Sequence, residues 1–155
     1  MHGRDIGNAA VAEHWEDVLG DRDELTDAYE ARGWDAYPLT PGHVTLIEDG
    51  DDLTISILLS KDELETINPL IETLEFDSVD VYRRVEGGTV FVLMAMEATD
   101  AQTSLIIPMY YSTDQIPQFE SLRDAGRPVE CLLRSLDDAF TNLLRIADAD
   151  LFIPE

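Results

Sequence analysis

Residues 103–115 read TSLIIPMYYSTDQ. An apolar run of strand length, Leu105–Tyr111, ends at Ser112, and Gln115 stands three residues further on. Residues 51–63, DDLTISILLSKDE, share the same plan. There Leu53, Ile55, Ile57 and Leu59 alternate with Thr54 and Ser56, the period of a half-buried strand. Ser60 comes next, with Glu63 three positions on. Serine with Glu or Gln at the third position after it is a capping box. Its hydroxyl takes the backbone N–H of the third residue, whose side chain takes the N–H of the serine. Each stretch therefore predicts a strand that runs directly into a helix.

The two junctions lead into similar segments. After Ser60, the residues Leu64, Ile67, Leu70, Ile71 and Leu74 recur at helical spacing, and Pro69 is expected to kink or split that helix near Asn68. Ser78–Val85 reads as a strand, Gly87-Gly88 as a two-residue hairpin turn, and Thr89–Met96 as a strand apolar on both faces. After Ser112 a helix is expected to about Ala125, ended by Gly126. Pro128–Ser135 then reads as a strand, Asp137-Asp138 as a turn and Ala139–Ile146 as the last strand. Val79–Arg84 aligns with Val129–Arg134, and Gly87-Gly88 falls on Asp137-Asp138. The spacing of Phe140, Leu143, Leu144 and Ala147 taken alone is helical, and the alignment overrides it. Leu151 and Phe152 of the tail should pack without forming a long element.

Ahead of the repeats, about Asp5 to Arg32 reads as one long helix on Val11, Trp15, Val18, Leu25 and Tyr29. Asp5 or Asn8 is the candidate cap, Gly33 the stop, and Gly20 leaves two shorter helices as the alternative. Trp34–Leu39 is a short strand, and Val44–Ile47 with Leu53–Leu59 flank the hairpin loop EDGDD. The expected fold is α+β in a single domain over 1–155. Residues 1–50 hold helix and hairpin, 51–98 the first strand–helix–strand–strand repeat and 103–147 the second. Side by side, the repeats would form one mainly antiparallel sheet with both helices on one face. Phe91, Leu93, Ile106 and Tyr110 on the other face need cover. The first helix is the natural lid, and a second subunit in a homodimer is the alternative.

Composition limits function. Asp and Glu total 33 against 10 Lys and Arg, a net of −23, and Lys61 is the single lysine. Scattered acids with so little lysine favour salt adaptation over an acidic mimic of nucleic acid, and net charge speaks to solubility rather than fold. Direct nucleic-acid binding needs a basic patch that this chain lacks. No apolar run reaches the length of a membrane span, the N-terminus lacks signal-peptide order, and one cysteine makes no internal disulfide. A cytoplasmic protein is expected.

Candidate chemistry is sparse. His14 lies between acids but has no second histidine at helical spacing, so it reads as a surface helix residue. Cys131 reads as a small core residue. Glu48–Asp52 lacks the spacing of a calcium loop. No cofactor, metal site or catalytic set is assigned. Pro108-Met109-Tyr110-Tyr111 is the most unusual run, because proline inside a strand marks an edge or bulge. Tyr82 and Arg84 fall on the polar face of their strand. Tyr82, Arg84, Tyr110 and Tyr111 are therefore the binding candidates: tyrosine offers contact area at low entropy cost, and Arg84 is a cation on an acidic chain.

Arg32-Gly33-Trp34-Asp35 after the long helix, Pro41-Gly42-His43-Val44, Pro108–Tyr111 and Asp150-Leu151-Phe152 together resemble an uncharacterised haloarchaeal family of unknown function. That resemblance covers nearly the whole chain and implies a haloarchaeal cytosol, with no activity attached. The doubled strand–helix–strand–strand order is also similar to the GyrI-like small-molecule-binding fold, at the level of fold alone. Members of that fold that bind cations use a buried acid, and none is assigned here.

The leading functional expectation is a non-catalytic protein-interaction domain. A small-molecule sensor with a cleft between the repeats is second, and an enzyme using scattered carboxylates is third. Salt dependence tests the charge argument. Screening shrinks the Debye length from ~10 Å at 0.1 M to ~3 Å at 1 M, so melting temperature should rise along a salt series. A flat series would count against salt adaptation and raise the mimic reading.

Overall fold

A computed structural model describes residues 2–154, with side chains from residue 11 onward. Helix α1 spans His2–Ala31 as one element. It already runs at Asp5 and Asn8, whose side chains lie outside the described residues. Gly33 ends it with φ +83°, a left-handed turn that a Cβ would strain, and the N–H of Trp34 donates to the Tyr29 carbonyl at 3.1 Å. Strand β1, Asp35–Pro38, leads to the hairpin of β2, His43–Asp49, and β3, Asp52–Leu58.

Helix α2, Lys61–Thr73, opens on the capping box read from the sequence. Ser60 N–H donates to Glu63 Oε1 at 3.0 Å, and Glu63 N–H donates to Ser60 Oγ at 3.1 Å. It passes through Pro69 without splitting. Pro69 deprives the Glu65 carbonyl of its helical donor, but Glu65 is exposed, so water can serve instead, while Leu64 and Ile67 are buried and hold the helix down. Strands β4, Ser78–Glu86, and β5, Thr89–Ala98, join through Gly87-Gly88, both at positive φ as a tight hairpin demands.

Strand β6, Thr103–Ser112, meets the second capping box at Ser112 and Gln115. This box opens a 3₁₀ turn, Thr113–Gln115, and α3, Ile116–Ala125, comes after it. The last strands are β7, Val129–Arg134, and β8, Thr141–Ile146. Ala139 and Phe140 belong to the turn instead of the strand. Asp137 organises that turn by accepting from Ser135 Oγ at 2.8 Å and from the Ala139 N–H at 3.0 Å. A short 3₁₀ turn, Ala149–Phe152, closes the chain and buries Phe152.

The architecture is α+β, but the expected single sheet is two. One has the order β1-β6-β5-β4 and the other β2-β3-β7-β8. The two units have traded first strands. β3 runs parallel to β7 of the second unit, and β6 runs antiparallel to β5 of the first. Local geometry favours the second pairing, because the short turn Thr99–Gln102 folds β6 back on β5. One core is shared by the inward faces of both sheets, α2, α3 and the final turn; Ile57, Met94, Ile107, Phe119, Leu133 and Phe152 are fully buried in it. A second core lies on the other face of the β1-β6-β5-β4 sheet. There Val18 and Tyr29 of α1 bury Phe91, Leu93, Ala95 and Ile106, so the first helix is the lid.

Gly20 lies inside α1, and a Cβ added there would meet nothing within 4 Å. Gly20→Ala should stabilise the protein by ~1 kcal/mol, raising the melting temperature by about 2–4 °C. An unchanged or lower melting temperature would mean that α1 is not continuous there.

Candidate functional site

Cross-strand register decides where the candidate residues meet. On the face under α1, Arg84, Phe91 and Tyr110 stand side by side across β4, β5 and β6, and Tyr82, Leu93 and Pro108 form the next row. Pro108 lies beyond the last β1 pair, Pro38 with Ile106, where that side of β6 has no ladder left to complete.

Helix α1 packs on β1, β6 and β5 and leaves the β4 side of the face open. The result is a groove of about 490 Å³ between α1 and β4. Phe91 and Leu93 form its floor, Val18 and Leu25 the helix side, and Tyr82 and Arg84 the strand side. Asp21 and Glu24 stand on its helical rim.

Tyr82 is 51% exposed, and burial of its remainder, followed by the charges of Asp80 and Glu97, raises its phenol above the ordinary value. Arg84 stands 4.0 Å from Asp17, 3.9 Å from Asp21 and 3.9 Å from Glu86. These are loose electrostatic contacts, longer than hydrogen bonds, so the guanidinium keeps donor capacity for another group. Tyr110 is half-buried beneath Trp15, edge to face with ring centroids 5.4 Å apart. Tyr111 leaves the group altogether. It points into the shared core, packs 4.5 Å from the Phe119 ring and donates its hydroxyl to the Phe152 carbonyl. Adjacent residues of a strand point to opposite faces, so Tyr110 and Tyr111 could not both line one surface.

The sequence did not single out Glu86 or the acids of the helix rim, and it placed His14 in solvent. His14 instead sits 28% exposed against Phe91, 3.8 Å from Asp17 and 3.9 Å from Glu86. Its position four residues before Val18 on the lid's apolar stripe was the available signal. Near the C-terminal end of α1, Tyr29 is buried and donates to Glu97 at 2.7 Å. Arg32 covers the rings of Tyr29 and Trp34 at 4.8 and 5.1 Å. Cys131 is fully buried in the core, where desolvation pushes its thiol up to about 12. The groove is thus an apolar trough with an acidic rim and one loosely held cation.

A two-sheet α+β domain whose N-terminal helix borders an open groove on one sheet is the class that fold and site define. The chain belongs to a family of unknown function, DUF7529, whose model matches residues 4–154. No curated protein and no solved structure matches the chain. No described helix is long and apolar enough to cross a membrane, and no cluster of metal-binding side chains occurs among the described residues.

The tyrosines generate a pH prediction. Burial, and for Tyr29 also Glu97, raises the phenols of Tyr29 and Tyr111 above their unfolded value of ~10. Unfolded chain therefore ionises first as pH rises. The contribution is intact below pH ~10 and is lost as pH climbs toward the folded values. Denaturant midpoints should fall above pH ~10, and less steeply in Tyr111→Phe, which at neutral pH should lose ~1 kcal/mol with its hydrogen bond. Identical alkaline slopes in both proteins would remove Tyr111 from this account.

Proposed function

We propose that this is a protein-interaction domain adapted to high salt, and that the groove between α1 and β4 receives an apolar, basic-flanked helix of a partner. The observation that carries the reading is the uncovered strip of a sheet face otherwise roofed by α1. Helix α1 lies over β1, β6 and β5, so a helix packed ~8–10 Å from it would have its axis over β4, two ~4.8 Å strand spacings from β6. Tyr82 and the half-buried Leu25 would meet its apolar ridge, above the buried Phe91 and Leu93. Asp21 and Glu24 on the rim favour basic flanks, and Arg84 offers one contact to an acid. Exposed Tyr82 is the aromatic anchor such an interface would use.

A second reading is a small-molecule sensor using the same groove rather than a cleft between the repeats. The volume of about 490 Å³ favours it, since ligand sites commonly measure ~300–1,000 Å³. Both readings are tested with Tyr82→Ala combined with Arg84→Glu, two exposed positions whose change should leave the melting temperature within a few degrees. In pull-downs from salt-rich extract, wild type should hold a protein that the double variant loses. Native mass spectra with a small adduct lost in the variant would shift the assignment to the sensor. Equal recovery of every bound species by both proteins would sink the groove as the binding site.

A further inference from the structure

The β2-β3-β7-β8 sheet turns Ile55, Cys131 and Leu144 toward the core and its other face toward solvent. Register places Thr45, Ser56, Leu132 and Leu143 in one row across the middle of that outer face. Ile47 lies in the next row at 46% exposure, Leu143 is 39% exposed, and Leu136 in the adjoining turn reaches 82%. The centre of the face is therefore apolar or hydroxyl-bearing across all four strands.

Its arginines are matched internally, while Asp49 lies at its β2 edge. Arg145 lies 3.2 Å from Glu130 directly across the strand pair. Arg134 donates from Nε to Ser56 Oγ at 2.9 Å and stands 3.6 Å from Asp138. The solvent side of α1, by contrast, presents Glu13, Glu16, Asp23, Asp27 and Glu30 in succession. Two chains of net −23 repel wherever such acids face each other. A face whose arginines are matched and whose Asp49 lies at the edge bears less of that cost, and its leucines and isoleucine gain by leaving water.

We propose that a second copy of this chain packs face to face on this surface about a two-fold axis, forming a weak dimer that salt strengthens. The geometry sets its strength. Four strands of about six residues present a plane of roughly 19 by 20 Å, small against the ~800 Å² per partner of a standard stable interface. The dimer should accordingly be concentration-dependent, and screening should favour it by damping the repulsion of the remaining acids. This surface is separate from the α1–β4 groove.

Sedimentation equilibrium from micromolar to millimolar chain, at low and at molar salt, reads the proposal. The average mass should climb from one chain toward two with concentration, and further at high salt. Leu143→Asp and, separately, the strongly exposed Leu136→Asp should each weaken association at least about tenfold with the melting temperature nearly unchanged. Tyr82→Ala with Arg84→Glu should leave it untouched. The proposal is overturned if wild type stays monomeric at millimolar concentration in molar salt, which would leave the face to a different partner. It is equally overturned if the dimer survives both aspartate variants, or if the groove variant abolishes it.

Discussion

Strand β5 is buried along nearly its whole length, and that constraint organises the rest. Val92, Met94 and Met96 face the shared core, while Phe91, Leu93 and Ala95 face the other way. A sheet apolar on both faces must be covered twice. The inner cover comes from the second sheet and two short helices, and the outer one comes from α1. Each large side chain buried under α1 contributes about 1.5–3 kcal/mol, so the helix is integral to the fold. Tyr29 with Glu97 secures its C-terminal end, and His14 stands beside Glu86 further up. Because α1 covers three strands of four, its edge also creates the groove. Roof and binding wall are the same helix.

Much of this was legible from short-range signals. Ser60 with Glu63 announces the start of α2, and Ser112 with Gln115 the 3₁₀ turn ahead of α3, through a four-residue code that needs no tertiary context. Gly87-Gly88 and Gly33 mark places where backbone must adopt positive φ. Periodicity alone named Phe91, Leu93, Ile106 and Tyr110 as a face needing a lid. The turn before β8 was harder, since its form depends on side-chain hydrogen bonds from Ser135 and Asp137 that a turn dipeptide does not encode.

Hairpin partners were legible from their turns, but partners beyond a hairpin were not. Alternation says which residues share a face but not which strand lies alongside, so similarity between the units suggested one continuous sheet. The pairing of β3 with β7 is decided by competition for a common core, a non-local matter. The same blindness affected the candidate site. Tyr82 and Arg84 could be placed together by their spacing on one strand, whereas two of the three acids around Arg84, Asp17 and Asp21, arrive from a helix more than sixty residues earlier. Alternation sends Tyr110 and Tyr111 to opposite faces but does not say which of the two faces lies in the core.

The traded strands also set an order of events during synthesis. β3 leaves the ribosome long before β7, its parallel partner, and translation of the intervening residues takes on the order of ten seconds at ~5–20 residues per second. Through that interval the β2-β3 hairpin has an open edge rich in isoleucine and leucine, which invites pairing with another nascent chain. The acids on either side of β3 in sequence, Glu48 to Asp52 before and Asp62 to Glu65 after, then act as flanking guards by repelling other unfinished chains. On this view the acidity of the chain protects it while it is still incomplete.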